Sequence, residues 1–205
     1  MIDRKWSWAD SIAEVESRRS AAKNLVGERV AAVKYFDIDY RREVFAPSER
    51  GPREIEAAEE WVEPTWRAPD ADTLDYGVEL VTSVGSVYSV TWDPPGDREG
   101  IGIEALPLAG SALRVDADVA VWDVTRSPGW TGLVGRFVTD VDLNYVPWSD
   151  DGGYWCTRIA ITFDGSDGVV FLLAEASESG GILRSSDNVV VLFGNASLPT
   201  WETQR

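Results

Sequence analysis

Leu25-Val26-Gly27-Glu28-Arg29-Val30-Ala31-Ala32-Val33 is written a second time, further along the chain, as Leu133-Val134-Gly135-Arg136-Phe137-Val138-Thr139-Asp140-Val141. Leu, Val, Gly, Val and Val fall at the same five of nine positions. The β-branched residues favour a strand, and the shared glycine suits a bulge or a close backbone approach. The residues after each copy are similar in kind and order, so the sequence reads as two four-strand β units, about 25–107 and 133–199.

In the first unit Val78 to Val84 and Val87 to Trp92 form a hairpin pattern around Gly85-Ser86, followed by a turn at Asp93 to Asp97 and a strand at Gly100 to Leu106. Leu113 to Val121 alternate, which predicts a strand bridging the units from Ala112 to Val124. In the second unit Ile159, Ile161 and Phe163 alternate before Asp164-Gly165-Ser166-Asp167-Gly168, a strong hairpin signal. Val169 to Leu173 and Val189 to Phe193 are apolar at consecutive positions, as strands covered on both faces are. Ahead of everything, Ser7 to Asp10 resembles a capping box, and Trp8, Ile12, Val15 and Ala22 recur at helical spacing, predicting a helix from about Trp8 to Lys23 with Glu14, Arg18 and Lys23 toward water.

The first unit departs from the second by an excursion of about 40 residues after its opening strand. Pro52, Glu54 and Glu56 ahead of an Ala-Glu run predict a short helix that Pro64 stops. From Pro47 to Asp72 there are eight acidic residues against three basic. This segment either displays a docking surface or covers a sheet edge with Ile55, Trp61 and Trp66.

The fold expected is therefore mainly β with minor α: two duplicated four-strand antiparallel units packed into one pseudo-symmetric sandwich or barrel-like body, with an N-terminal helix and a short inserted acidic helix. The whole of 1–205 is expected to be one domain, since no flexible linker separates the halves. At this length folding buries roughly 70% of the surface of the unfolded chain.

Composition restricts the chemistry. A net charge of −16 with no histidine makes nucleic acid and anionic membrane surfaces poor partners, because both require Lys and Arg to neutralise phosphates. A basic protein would instead be attracted. Without histidine, Ser-His-Asp and Cys-His sites and His-ligated metals are impossible. Cys156, the single cysteine, stands beside Trp155 and reads as a structural thiol. Carboxylate pairs remain at Asp37/Asp39, Asp140/Asp142, Asp150/Asp151 and Asp164/Asp167, none with EF-hand spacing, and no cofactor or metal is expected. No apolar stretch is long enough to span a bilayer and the N-terminus lacks a signal-like apolar core, so a cytosolic, bacterial or other, location is expected.

Two roles fit these bounds. The first is a non-enzymatic acidic interaction protein that binds and neutralises a basic protein partner, as an immunity protein or antitoxin does with a toxin, through Glu54, Glu56, Glu59, Glu60, Trp61 and Glu63. The second is a small-ligand or carbohydrate-binding β module using Trp92, Trp130, Trp148 and Trp155, with Trp201 also near a strand end. A carboxylate enzyme is a weaker third.

Overall fold

The structure, a computed structural model, describes residues 7–93, 99–114, 116–148, 152–177, 179–194 and 196–203. Along these the chain runs α1 (Ile12–Ala22), β1 (Val30–Ile38), α2 (Arg42–Phe45), β2 (Gly51–Glu54), β3 (Asp72–Leu74), β4 (Gly77–Thr82), β5 (Val87–Trp92) and β6 (Ile101–Glu104). It continues through β7 (Asp118–Asp123), α3 (Pro128–Thr131), β8 (Val138–Pro147), β9 (Tyr154–Phe163), β10 (Ser166–Ala176), β11 (Ile182–Phe193) and α4 (Thr200–Thr203). The strands form a six-stranded sheet in the order β2-β7-β1-β4-β5-β6 and a five-stranded sheet in the order β3-β11-β10-β9-β8. All neighbours are antiparallel except β2 and β7.

The sheets face one another across a single apolar layer. Val33, Tyr35, Val78, Leu80, Val90 and Trp122 of the first meet Val141, Leu143, Ile159, Ile161, Phe171 and Val191 of the second. Full burial of each such side chain stabilises the fold by about 1.5–3 kcal/mol. The outer faces are covered as well. Leu108 and Leu113, from the segment ahead of β7, lie over Phe36, Val119 and Val121, while Leu198 and Trp201 pack on Leu172, Val190 and Leu192. Both faces of β10 and β11 are thus apolar, as their unbroken runs require. The strand expected from Ala112 to Val124 begins only at Asp118, because the residues before it serve as this cover.

The repeated nonapeptides meet. Gly27 N donates to Val138 O (2.8 Å) and Gly135 N to Val30 O (2.8 Å). Val138 N donates to Glu28 O (2.9 Å) and Val30 N to Arg136 O (3.3 Å). The two segments therefore exchange equivalent bonds as if about a local two-fold axis, with Arg29 opposite Phe137 and its guanidinium 4.4 Å from that ring. Gly27 and Gly135 have φ of 87° and 88°, the left-handed conformation that turns the chain from a short helical segment into a strand. After each motif the strands neighbour one another in the same sequence, β1-β4-β5-β6 and β8-β9-β10-β11. Beyond this the sheets differ in strand number and in what flanks them, so the correspondence is one of local geometry and strand order.

Two open sheets present four edges, β2 and β6 in one and β3 and β8 in the other, and α1 covers two of them. α1 lies against β6 and β8, with Arg19 donating to Leu143 O (3.3 Å) and Lys23 paired with Asp140. Ahead of it, Asp93 accepts from Ser7 N (2.8 Å), Ser7 Oγ (2.5 Å) and Trp8 N (3.1 Å). The helix starts at Ile12 rather than Trp8: Ser11 is the N-cap, accepting from Glu14 N, and the Glu14 carboxylate accepts from Asp10 N. Ile12 is consequently exposed, whereas Val15 and Ala22 are buried. The expected turn after Asp93 lies, from residue 94 to 97, outside the described residues. Among the described residues no helix is long and apolar enough to cross a membrane.

On the opposite side the excursion supplies an edge strand to each sheet, β2 beside β7 and β3 beside β11. The helix expected from about Pro52 to Val62 is absent. Gly51–Glu54 is a strand and residues 58–62 are turns, and the short helix of this segment is α2 instead. Tertiary demands override the Ala-Glu helix propensity, because Ile55 and Trp66 must be buried and Pro52 is tolerated on a sheet edge.

Gly27→Ala and Gly135→Ala are expected to cost about 1–2 kcal/mol each and nearly equally, since a Cβ at either meets no atom within 4 Å and only the backbone conformation is penalised. Gly168→Ala, whose Cβ falls 2.0 Å from Ile161 O, is expected to cost clearly more. Urea midpoints of the three variants decide this, and unequal losses at the two motif glycines would contradict their equivalence.

Candidate functional site

β1 ends in Asp37-Ile38 and is followed directly by Asp39. Both acids are buried, and each has a different partner. Asp39 receives Arg53 from β2 through Nε (2.7 Å) and Nη2 (2.8 Å). The same guanidinium donates from Nη1 and Nη2 to the two oxygens of Glu60 (3.0 and 2.8 Å). These bonds, to Asp39 first and Glu60 second, hold the Arg53 guanidinium above its ordinary pKa. Arg42, at the start of α2, places Nε 3.2 Å from Asp39 and 3.3 Å from Asp118, and donates from Nη2 to Gly51 O (2.6 Å). A buried and a half-buried cation thus face two buried carboxylates, with Asp118 at the rim. Charges removed from water are tolerated only when paired in this way.

This network anchors the excursion, and what it leaves on the surface forms the candidate site. Glu56, Glu59 and Glu63 are exposed, and Glu54 is exposed while paired with Lys34 at 2.7 Å. Glu60 is not on the surface: its side chain is 2% exposed beneath Arg53. Trp61 is half-buried, donates to Ile55 O (3.2 Å) and packs edge-on against Trp122, so its ring faces the core instead of standing out as an anchor. The bare apolar groups are Val44 (77% exposed) and Val62 (73%), with Phe45 less so. Arg41 donates to Glu63 O (3.2 Å), and Arg53 lies 5.7 Å from the Phe45 ring, so the turns carrying Val44 and Val62 stand beside each other. In sequence these valines look unremarkable, each one apolar residue next to a glutamate. Only the inward turn of Ile55 and Trp61 reveals that they are left outside.

The remaining acids occupy structural positions. Asp37 accepts from Thr65 Oγ1 and from Asp75 N (3.0 Å). Burial pushes its carboxyl up to about 7 against those two bonds, and the nearby Asp75 carboxylate adds to the rise. Asp72 is pushed up to about 6 by burial, opposed by the hydrogen bond from Tyr35 (2.8 Å). Asp140 pairs with Lys23 and Asp142 lies 3.5 Å from Arg158, both on the wet side of β8. Asp164 caps its turn by accepting from Phe137 N (2.8 Å). Asp150 and Asp151 lie outside the described residues. Among the described residues no cluster of three or more Asp, Glu, His or Cys is placed to hold a metal ion. Cys156 is buried, and burial pushes its thiol well above the ordinary range.

The tryptophans divide into two groups. Trp130 is fully buried and donates to Tyr35 Oη (2.8 Å), within a core series that runs through Trp66, Trp122 and Trp61. It is therefore not at the mouth of the body. Trp92 is half-buried and donates to Asp75 O (2.7 Å). Trp148 and Trp155 stand near the surface, edge-on to each other at 5.0 Å, and Trp148 is edge-on to Trp8 at 5.3 Å. Trp155 also lines a cleft of about 230 Å³ with Trp201.

Compared with protein-family models, with curated proteins and with solved structures, the chain matches none.

Arg53→Met is expected to destabilise the fold by about 3–5 kcal/mol, because it strands Glu60 without its counter-charge and leaves Asp39 to Arg42 alone; a loss below about 1 kcal/mol on urea denaturation would show that the network does not hold the excursion. Stability should also rise as pH falls through about 7 and about 6 toward the ordinary carboxyl value of 3.8, since Asp37 and Asp72 bind protons more tightly folded than unfolded. Asp37→Asn should be more stable than the parent above pH 7 and should show a shallower dependence below it, a comparison that thermal unfolding across pH makes directly.

Proposed function

We propose that this chain is a non-enzymatic acidic interaction protein that binds and neutralises a basic protein partner, as immunity proteins and antitoxins do. The face used is the one presented between Arg41 and Glu63. The observation that carries this reading is a surface segment pinned by Arg42 and Arg53 that nonetheless leaves Val44 and Val62 in water, beside exposed Glu56, Glu59 and Glu63. An apolar centre with a charged rim is the usual anatomy of a protein interface. A segment already held rigid loses little freedom on binding. The overall charge of −16 adds attraction over distance, raising the encounter rate with a cationic partner.

The test compares two sets of reversals. Glu56→Lys, Glu59→Lys and Glu63→Lys together remove the rim, while Glu175→Lys and Asp187→Lys reverse exposed acids on the other sheet. With a basic protein captured from the native host, the rim variant is expected to associate more slowly and with a flatter dependence on salt, and the control variant to behave as the parent. Equal association rates for the two variants would remove this face from consideration.

A further inference from the structure

The second independent feature lies on the five-stranded sheet, where two irregularities of pairing fall side by side. The β8/β9 register shifts between Asn144 and Tyr145, and β11 skips residues 185–188 between the partners of Leu173 and Ala174. Arg158 of β9 faces Leu172 of β10, so both shifts open toward the same end of the sheet. Extra residues at such shifts re-aim side chains and leave room between them. α4 closes over this place, and the result is a cleft of about 230 Å³ lined by Trp155, Trp201, Arg158, Arg184, Asn144 and Glu202, among others.

The chemistry of that lining is unlike the rest of the surface. Two guanidiniums meet there in a protein whose net charge is −16. Arg184 is exposed and lies over the Trp201 ring at 5.3 Å. Arg158 has only long ion pairs, 3.5 Å to Asp142 and 3.9 Å to Glu202, and its Nε is buried with no hydrogen-bond partner among the described residues. The long contacts made by its Nη groups leave donor capacity for a shorter, charge-assisted bond to an oxygen in the cleft. Glu202 is itself nearly buried and accepts from Asn144 (3.2 Å), so it is positioned to accept in turn from a hydroxyl. The two indoles offer the flat apolar surface on which a ring stacks.

We infer that this cleft binds a small organic anion, a carboxylate or phosphate carried on a ring, with Arg158 and Arg184 holding the acidic group and Trp155 or Trp201 the ring. The site is separate from the face around Val44 and Val62 and does not depend on it. Its volume suits a molecule the size of a monosaccharide acid or an aromatic acid, not a chain.

The probes are glucuronate, glucose 6-phosphate and benzoate, with glucose and benzamide as their neutral counterparts, followed by tryptophan fluorescence and calorimetry. At least one anion is expected to bind saturably and about tenfold or more tighter than its neutral counterpart, consistent with loss of a charge-assisted bond. Arg184→Gln and Arg158→Gln should each weaken it by about tenfold to a hundredfold. Arg184 is exposed and its replacement should leave the melting curve unchanged, so that variant decides the matter even where Arg158→Gln fails to fold. No saturable binding of any anion, equal affinity for the neutral ring, or parental affinity in Arg184→Gln would each overturn the assignment.

Discussion

The Arg53 guanidinium holds two carboxylates at once, Asp39 at the end of β1 and Glu60 in the turn beyond β2. Much of this side of the molecule is a consequence of that fork. Arginine is the side chain able to do this, since its planar donors satisfy two carboxylates in fixed directions and it stays charged when buried. Because Glu60 is drawn inward, Ile55 and Trp61 turn inward with it, and their neighbours Glu56, Glu59 and Val62 are pushed into water. The display of one set of residues is thus the mechanical complement of the burial of another.

The same economy of edges governs the rest. A strand without a neighbour exposes a row of peptide groups, and two open sheets would have four such rows. Here α1 lies against β6 and β8, while the other two edges are the short strands β2 and β3 supplied by the excursion. The aromatic core then bridges the sheets: Tyr35 of β1 meets Trp130 edge-on at 6.5 Å, and Trp130 meets Phe193 of β11 edge-on at 5.2 Å. Edge-on packing lets large rings fill a space between twisted sheets that aliphatic side chains would leave partly empty.

How much of this is legible in the residues depends on how local its cause is. The mainly β character, the Gly85-Ser86 and Asp164-Gly165 turns and the doubly covered β10 and β11 are written in short-range patterns, and they are where the patterns put them. The excursion reads as a helix because Pro52-Arg53-Glu54 has helical grammar, whereas its conformation is set by Asp39, fourteen residues away from Arg53 in sequence, and by pairing with β7, much further along. For the same reason Glu60 and Trp61 look like surface in the sequence, and nothing there singles out Val44 and Val62. Trp130 cannot be told from Trp155 by composition, since both stand near strand ends. That Arg158 and Arg184 line one cleft depends on register shifts that no periodicity announces.

β3 comes from the first half of the chain but is the edge of the sheet built by the second half. A nascent polypeptide leaving the ribosome cannot complete that ladder until β11 has been synthesised, long after Asp72 to Leu74 have emerged. Until then one end of the acidic segment has no sheet to join, and its anchoring to β1 and β7 has to proceed alone. Completion of the five-stranded sheet is therefore held back until β11 is made, a delay inherent in its contact order and independent of how stable the finished molecule is.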